Sequence, residues 1–413
     1  MIKIQDKHLC CGCASCVQVC PKGCIAFDED EQGFRYPLVD TMLCVDCGLC
    51  EKVCPVLCQS EASKPLKVYV AQNPNEAIRL KSSSGGVFSI LAEAVIEQGG
   101  VVFGARFDVN WQVEHAYTET KEGLEAFRGS KYLQSRVGET FKQAREFLKS
   151  GRKVLYSGTS CQIAGLKKFL HKEYENLITI DVVCHGAPSP LVWRTYLDEL
   201  AKCPNGIVGN QTVFHTLNGN SVITDVSFRD KSTGWKQYSM IFRGKSISKV
   251  DKHSFLYSAN NVEKSDVLLH ETFDQNFFMR MFLSNLCLRP SCFRCPAKCG
   301  KSGSDFTLAD FWGIGNFSLK WDDDKGTSLV MIQSEKGLNF FKELPSVLYE
   351  EQTYENALFY NPSIEHSVSE TKSVKLFWNA FHHKQFHLIN KLISSSRLRI
   401  FWNRIKSVLL RKI

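Results

Sequence analysis

The sequence predicts two classes of fold in one chain: a small α+β module, then an α/β domain on a mixed sheet, followed by a helical C-terminal region. Three observations support this prediction. Eleven of the 18 cysteines lie between residues 10 and 58. A polar stretch that ends in proline follows them, as is typical of a linker. Beyond it, runs rich in β-branched residues alternate with helical patterns, which indicates strands joined by crossover helices.

The expected organisation has four parts. The cysteine-rich module covers residues 1–58, and the linker covers 59–66. The sheet domain covers 67–345, and residues 346–413 form the helical C-terminal region. The boundaries lie where the composition changes, because linkers between domains are polar and few contacts cross them.

The elements of the sheet domain follow from apolar and β-branched runs. Their expected positions are strands at 67–71, 101–107, 153–157 and 176–183, and helices at 87–97, after 157 through 168, and at 190–201. VITDVSF and WKQYSMIF alternate apolar with polar residues, which predicts a hairpin with KSTG as its turn. Strand, helix and strand in succession predict a parallel or mixed sheet covered by helices.

The composition excludes several classes of protein. Of the 413 residues, 44% are apolar and 23% are charged, which is ordinary for a globular protein. The net charge of +8 is a mild excess without a basic stripe and interleaved aromatic residues, so we exclude nucleic-acid binding. No apolar run is long enough to cross a bilayer, and MIKIQDKHLCCGC lacks the apolar segment of a secretory signal. We therefore expect a cytoplasmic protein whose cysteines bind metal rather than form disulfides.

The cysteine-rich module contains the spacing C-x2-C-x2-C-x3-C-P twice. The copies comprise Cys10, Cys13, Cys16, Cys20 and Pro21, and Cys44, Cys47, Cys50, Cys54 and Pro55. This is the bacterial ferredoxin pattern, in which three thiolates on a tight loop hold one [4Fe–4S] cluster and the fourth ligates the other cluster. Zn²⁺ is the alternative metal, but zinc ribbons use separated C-x2-C pairs.

The ferredoxin pattern predicts crossed ligation of two clusters. The expected ligands are Cys10, Cys13, Cys16 and Cys54 for cluster one, and Cys44, Cys47, Cys50 and Cys20 for cluster two. Cys11, Cys24 and Cys58 remain, and we interpret them as small apolar fillers.

Further motifs accompany the module, namely SSSGGVFS, RGSKYLQS, GTSCQIAGLKKFL, DVVCHGAPSP and RPSCFRCPAK with SDFTLADFWG. Together they resemble the beta subunit of the coenzyme F420 (deazaflavin) hydrogenases and dehydrogenases, in its ferredoxin-fused form. The resemblance extends from Cys10 to about Gly313. It implies that the sheet domain binds FAD and an additional [4Fe–4S] cluster, and that it exchanges a hydride with a reduced deazaflavin or a similar carrier.

The SSSGG run at 82–86 directly precedes the predicted helix 87–97. Its backbone N–H groups could face an anion at the helix N-terminus, although most such turns only cap a helix. The resemblance favours contact with the flavin phosphates. The flavin-binding residues that it implies are Ser83, Ser84, Gly85, Gly86, Lys131, Tyr132 and Ser135.

A third cluster is suggested by cysteines outside the module. Cys161 and Cys184 each follow a predicted strand, so they meet at the carboxyl edge of the sheet if the strands are neighbours. Cys292 and Cys295 form a C-x2-C pair that could complete the site. A local site made of Cys287, Cys292, Cys295 and Cys299 is the alternative. The resemblance favours the set Cys161, Cys184, Cys292 and Cys295.

These features predict a flavin-dependent oxidoreductase that moves electrons between a hydride carrier and a redox partner protein through FAD and three clusters. A flavin accepts two electrons as hydride and releases them singly, whereas clusters carry one electron at a time. Hydride transfer depends on positioning, so no catalytic triad is expected. A non-catalytic electron-relay subunit of a larger complex is the alternative.

The end of the chain, RLRIFWNRIKSVLLRKI, predicts a basic amphipathic helix. Its apolar face comprises Leu398, Phe401, Trp402, Ile405, Val408, Leu409 and Ile413. This face packs against the protein's own core in one interpretation. In the other, it docks on a partner subunit or on the inner membrane surface, because Trp combined with basic residues suits an interface with lipid.

Overall fold

The computed structural model describes residues 1–201, 213–216, 219–246 and 266–394. These residues form a two-stranded, an eight-stranded and a four-stranded sheet with helices packed on them. The mixed α and β architecture expected from the sequence is confirmed.

The strands are numbered in chain order. They are β1 Ile25–Glu29, β2 Arg35–Val39, β3 Lys67–Gln72, β4 Val101–Phe107, β5 Val113–Thr118, β6 Val154–Thr159, β7 Leu177–Val182, β8 Val213–Thr216, β9 Gly219–Asp230, β10 Ser239–Ser246, β11 Asp266–Thr272, β12 Phe306–Asp310, β13 Ser328–Ile332 and β14 Leu348–Glu351.

The helices are numbered in the same way. They are α1 Ser15–Val19, α2 Leu49–Lys52, α3 Glu76–Lys81, α4 Val87–Glu97, α5 Thr140–Lys149, α6 Ser160–Leu170, α7 Pro190–Ala201, α8 Phe277–Leu283, α9 Glu335–Lys342, α10 Tyr354–Phe359 and α11 Ser373–His382. Short 3-10 turns lie at Lys7–Leu9, Glu122–Phe127, Pro290–Arg294, Ile314–Asn316, Leu319–Trp321 and Pro362–Ile364.

The cysteine-rich module, residues 1–58, contains the β1–β2 hairpin and the two short helices α1 and α2. Each helix begins after a residue with positive φ, Ala14 at 66° and Gly48 at 72°. That conformation turns the chain sharply out of the cysteine loop and into the helix. The two copies of the motif therefore form similar loop-and-helix units.

The sheet domain is built on the eight-stranded sheet, with the order β14-β3-β13-β12-β7-β6-β4-β5. Its centre is parallel, from β12 through β7 and β6 to β4, and its outer pairs are antiparallel. Strand β14 belongs to this sheet although it lies beyond the expected domain boundary at residue 345. Apolar clusters cover both faces, as the near-continuous apolar runs of the central strands require.

The four-stranded antiparallel sheet has the order β11-β10-β9-β8 and includes the expected hairpin of β9 and β10. The second strand begins at Ser239, four residues later than the pattern indicated. The reason is that the N–H groups of Trp235 and Lys236 donate to Asp324, at 2.9 Å each, instead of to β9.

The module packs against the sheet domain through helices α5 and α6. The Gln18 carboxamide oxygen accepts hydrogen bonds from the N–H groups of Phe141 and Lys142, which lie in the first turn of α5. Gly165 in α6 faces the first cysteine loop, where a Cβ atom would lie 2.8 Å from the Cβ of Cys13. The missing side chain at residue 165 therefore lets α6 approach the loop closely.

Residues 373–382 and 386–394 are helical, but strand β14 also lies within the expected helical C-terminal region, 346–413. The expected amphipathic helix at its end lies outside the described residues, which stop at 394. In the ranges that are described, no helix has the length and apolar character required to span a membrane.

Candidate iron–sulfur and flavin sites

The four expected ligands of cluster one come together in the module. Cys10, Cys13, Cys16 and Cys54 are all buried. Burial, with the charges of Cys13, Cys10 and Cys54, raises the pKa of the Cys16 thiol. Burial raises the pKa of Cys54 to about 11, with added effects of Cys13 and Cys10. The fourth cysteine of the second motif thus lies beside the first motif, as crossed ligation requires.

The expected ligands of cluster two line one surface cavity. Its cysteines are Cys20, Cys24, Cys44, Cys47 and Cys50. Cys24 was expected to be a filler, yet its Sγ atom lies 3.4 Å from that of Cys20. This hydrogen bond raises the pKa of Cys24 to about 11. Cys24 is therefore a neighbour of the second cluster site.

The chemistry of these thiols fits iron–sulfur clusters. All 17 cysteines in the described ranges are free; eight are buried, and only Cys47 and Cys58 are exposed. No group of three His, Cys, Asp or Glu side chains in those ranges is spaced to hold one metal ion. In a [4Fe–4S] cluster each cysteine binds a different iron atom, so its ligands stand further apart than those of a single ion.

The four cysteines expected to hold the third cluster also converge. Cys161 lies in the first turn of α6, directly after β6, and Cys184 follows β7. Strands β6 and β7 are parallel neighbours, so both thiols reach the same edge of the sheet. Burial raises the pKa of Cys292, and the charges of Cys184, Cys161 and Cys295 raise it further. Burial likewise raises the pKa of Cys184 to about 12, with Cys161 and Cys295 contributing.

Cys287 and Cys299, the other members of the local alternative, have different surroundings. Cys287 is fully buried in the apolar core beside helices α7 and α8. The Cys299 thiol donates to the Glu365 carbonyl oxygen at 3.4 Å. Cys292 thus interacts with Cys161 and Cys184 of the discontinuous set.

Cys11 links the first motif to the third site, which sequence reasoning missed. Hydrogen bonds to Cys13 and Cys161 raise the pKa of Cys11 well above its ordinary value. The same contacts lower the pKa of Cys13 to about 6 and also lower that of Cys161. The only signal in the sequence for this role of Cys11 was its position directly after Cys10. Cys11 thus lies between cluster one and the third site.

Two of the segments expected to bind flavin meet each other. The Ser83 hydroxyl accepts a hydrogen bond from the Ser130 N–H at 2.6 Å. The Arg229 guanidinium donates to the Ser83 carbonyl oxygen at 3.3 Å and to the Tyr132 hydroxyl at 3.1 Å. The SSSGG and GSKYLQS segments are therefore neighbours, and Arg229 joins them.

Other residues of SSSGG contact the sheet itself. The Ser84 hydroxyl donates to the Thr327 carbonyl oxygen at 2.9 Å. A Cβ atom on Gly85 would lie 2.5 Å from the Ala71 carbonyl oxygen and 2.6 Å from the Ser328 nitrogen. Gly86 has a φ of 82° at the start of α4, and no side chain in the described part of the chain caps that N-terminus. The small residues of SSSGG therefore allow close packing on the sheet, whether or not they also contact a ligand.

The GSKYLQS segment runs from this loop toward the third site. The Lys131 ammonium donates to the carbonyl oxygens of Arg128 and Gly129, and burial lowers its pKa to about 7. The Ser135 hydroxyl accepts a hydrogen bond from the Gln162 amide at 2.8 Å, next to Cys161. One segment thus touches both the expected flavin loop and the expected third cluster.

Arg229 and its partners were not expected from the sequence. The buried guanidinium pairs with Asp310 at 2.8 Å and lies 4.1 Å from the centre of the Tyr238 ring. Trp235 stacks on Trp312 at 4.8 Å and donates to the Asp310 carboxylate. Asp310 and Trp312 belong to the ADFWG motif, but nothing in the sequence pointed to Arg229.

Models of known protein families match most of the chain between residues 9 and 355. Residues 9–58 match the 4Fe-4S dicluster domain. Residues 68–142 and 151–355 match the N- and C-terminal parts of the coenzyme F420 hydrogenase/dehydrogenase beta subunit. The chain belongs to this beta subunit family. The resemblance inferred from the motifs is confirmed, and the module is an iron–sulfur domain.

Two individual proteins illustrate what this chain is similar to. The coenzyme F420-dependent sulfite reductase of Methanocaldococcus jannaschii is 27% identical over 204 residues, 47% of this chain and 30% of that protein. The chain thus spans less than a third of this curated relative. In the F420-reducing [NiFe] hydrogenase complex from Methanosarcina barkeri, one chain is 15% identical with a TM-score of 0.41. That match covers 70% of this chain and 83% of the other.

Proposed function

We propose that this chain is an iron–sulfur flavoprotein oxidoreductase that moves electrons between a hydride-carrying coenzyme and a redox partner protein. The coenzyme is a reduced deazaflavin or a similar carrier. FAD and three [4Fe–4S] clusters form the path. The main support is the position of Cys161, which contacts Cys11 of the module and lies among the other three expected ligands of the third cluster.

The order of the path follows from chain contacts. Ser130 contacts Ser83, and Ser135 contacts Gln162 beside Cys161. Five residues span at most about 18 Å even when extended, so the flavin loop and the third site are close. Cys11 then continues the path to cluster one, and the shared α1–α2 packing continues it to cluster two.

The polar groups of the sheet domain fit an anionic cofactor such as FAD. Among the described residues, the buried Nε of Arg229 has no hydrogen-bond partner, and no side chain caps helix α4. The half-buried Lys131 donates to the carbonyl groups of Arg128 and Gly129, which are neutral. When bound, FAD supplies the conversion of a hydride into single electrons. Arg229 and Lys131 would hold its anionic groups, and the SSSGG loop would exclude water from one side.

The second candidate is a non-catalytic electron-relay subunit whose chemistry occurs on another polypeptide. The contacts of Ser84 and Gly85 favour it, because both residues are engaged with the sheet instead of an open pocket. In either function a redox partner is needed. The basic C-terminal segment is a further candidate for contact with that partner or with a membrane surface.

The test is anaerobic purification of the full chain with matched cysteine variants. We expect about 12 iron atoms per chain in the unmodified protein, from three four-iron clusters. Cys292→Ala should lower this to about eight, because a cluster that loses a ligand is lost. Cys287→Ala is the control and should keep the full content, since Cys287 lies in the apolar core. Loss of about four iron atoms from both variants would favour the local site, because that site contains both Cys287 and Cys292.

The same preparations separate the two candidate functions. The oxidoreductase should release about one FAD per chain and be reduced by a reduced deazaflavin. The relay subunit should contain clusters without flavin and accept electrons only from a reduced protein. Absence of FAD with full iron content would therefore eliminate the first candidate.

A further inference from the structure

Arg289 occupies the space between the first cysteine motif and the third site. Its side chain is 1% exposed, which is rare for an arginine. Nε donates to the Cys10 carbonyl oxygen at 2.7 Å, and Nη2 donates to the Arg35 carbonyl oxygen at 3.0 Å. Nη1 donates to the Gln134 amide oxygen at 2.9 Å. All three nitrogen atoms of the guanidinium thus bind the module or the segment beside it.

The guanidinium also lies against sulfur. Its Nη2 is 3.5 Å from the Cys10 Sγ, and the carbon of the group is 4.3 Å from the centre of the Tyr36 ring. Burial by itself would lower the pKa of Arg289, but the charges of Cys10, Tyr36, Cys11 and Cys292 raise it. Cys10 is an expected ligand of cluster one, and Cys292 of the third cluster.

No carboxylate in the described ranges pairs with Arg289. A buried cation without a counter-anion is unfavourable, so a negative charge is expected next to it. A cluster held by four thiolates supplies that charge. Reduction adds one more negative charge to the cluster, and a fixed cation within hydrogen-bond distance of a ligand sulfur favours the reduced form.

We propose that Arg289 is a positioning residue that raises the reduction potential of cluster one and so draws single electrons from the third cluster into the module. This inference rests on the proposed function, because it requires both clusters. Arg289 adds no bond and takes no electron. The electron leaves the reduced third cluster and reduces the oxidised cluster one, and the guanidinium stays protonated throughout.

The neighbouring glycine supports this role. Gly12 has a φ of 69°, and a Cβ atom there would lie 2.5 Å from the Gln134 Nε2 and 3.0 Å from the Arg289 Cζ. Any side chain at residue 12 would therefore displace the guanidinium or Gln134. The cysteine loop is shaped to admit this cation.

The test is an anaerobic redox titration followed by electron paramagnetic resonance, after iron analysis of each preparation. In Arg289→Met, the one-electron step of cluster one, whose expected ligand Cys10 the guanidinium touches, should shift furthest to lower potential while the iron content stays full. At a fixed potential its reduced fraction relative to oxidised should fall about tenfold, which equals about 59 mV. Arg289→Lys should keep most of the unmodified value, because it retains the charge. The step of the distant cluster two serves as the internal reference.

Two further variants distinguish charge from packing. Gln134→Glu places a carboxylate beside the intact guanidinium and should lower the same step. Arg194→Met removes a cation that pairs with Glu29 elsewhere on the interface, and it should shift nothing. An unchanged potential in both Arg289→Met and Gln134→Glu would overturn the proposal. So would a shift in Arg289→Lys as large as that in Arg289→Met. Missing clusters in the unmodified protein would instead refute the proposed function.

Discussion

The first cysteine motif faces the sheet domain, whereas the second faces solvent. Their middle cysteines show the contrast, since Cys13 is buried and Cys47 is exposed. Gly165, Gln134 and Arg289 crowd the first loop. Around the second loop lie exposed apolar side chains, of which Met42 is 91% exposed. Two copies of one motif thus acquire different surroundings, and under the proposed function the first site would receive electrons from within and the second would exchange them with a partner.

The residues at equivalent positions 12 and 46 show how the difference arises. Both have positive φ, 69° at Gly12 and 49° at Asp46. A non-glycine residue is tolerated at position 46 because its side chain is exposed, where it pairs with the N-terminal ammonium group of Met1 at 2.7 Å. At position 12 only glycine leaves room for the docked Gln134 and Arg289. The same backbone turn therefore has different requirements in the two copies.

Exchanging these residues should have the largest effect. Gly12→Asp would press a carboxylate against Gln134 and displace Arg289. We therefore expect the loss of cluster one, so that the iron content falls by about four atoms per chain. Asp46→Gly should keep the full iron content and cost about 1 kcal/mol or less, from the added freedom of the unfolded chain and the loss of the exposed ion pair with Met1. Iron analysis and denaturant unfolding measure both effects. Equal behaviour of the two variants would contradict the comparison.

Docking at the second site should be sensitive to charge on its apolar rim. Met42, Leu43 and Val45 form an exposed apolar group at this rim. Met42→Glu places a charge in that group and should slow electron transfer from the reduced protein to a two-cluster ferredoxin about tenfold. Stopped-flow absorbance measures the rate. Val109→Glu, at an equally exposed position of the sheet domain, is the control.

A small dye separates docking from the clusters themselves. Methyl viologen needs no protein interface, so its reduction rate should be the same in Met42→Glu and the unmodified protein. If Met42→Glu slows both acceptors equally, the rim does not dock a partner and the variant has damaged the cluster.

The smallest effects are expected from the two cysteines beside the sites. Cys11→Ser should change the signals of cluster one and of the third cluster, because Cys11 contacts Cys13 and Cys161. Cys24→Ser should change only cluster two, through Cys20. Each shift should be less than about tenfold in the reduced-to-oxidised ratio, and iron should stay full. A loss of iron in either variant would show that the cysteine is a ligand.

Local features of the fold were predictable from the sequence. Helix α4 and strand β4 have the expected bounds, because glycines at 86, 99 and 100 mark their ends. The late start of β10 was not predictable, since it depends on Asp324, far along the chain. The flavin loop shows the same limit: its small residues were visible, but the Arg229 that joins it to Tyr132 was not.

The sequence by itself determined the cysteine spacing, the repeat and the succession of strands and helices, because these depend on neighbours along the chain. It placed Cys161 and Cys184 together through one simple rule about parallel strands. Only the tertiary structure decided which motif is buried, and that Cys11 and Arg289 lie between two sites. Arg289 is 279 residues from the Cys10 that it contacts. No local pattern records such a contact, because it forms only when the module docks on the sheet domain.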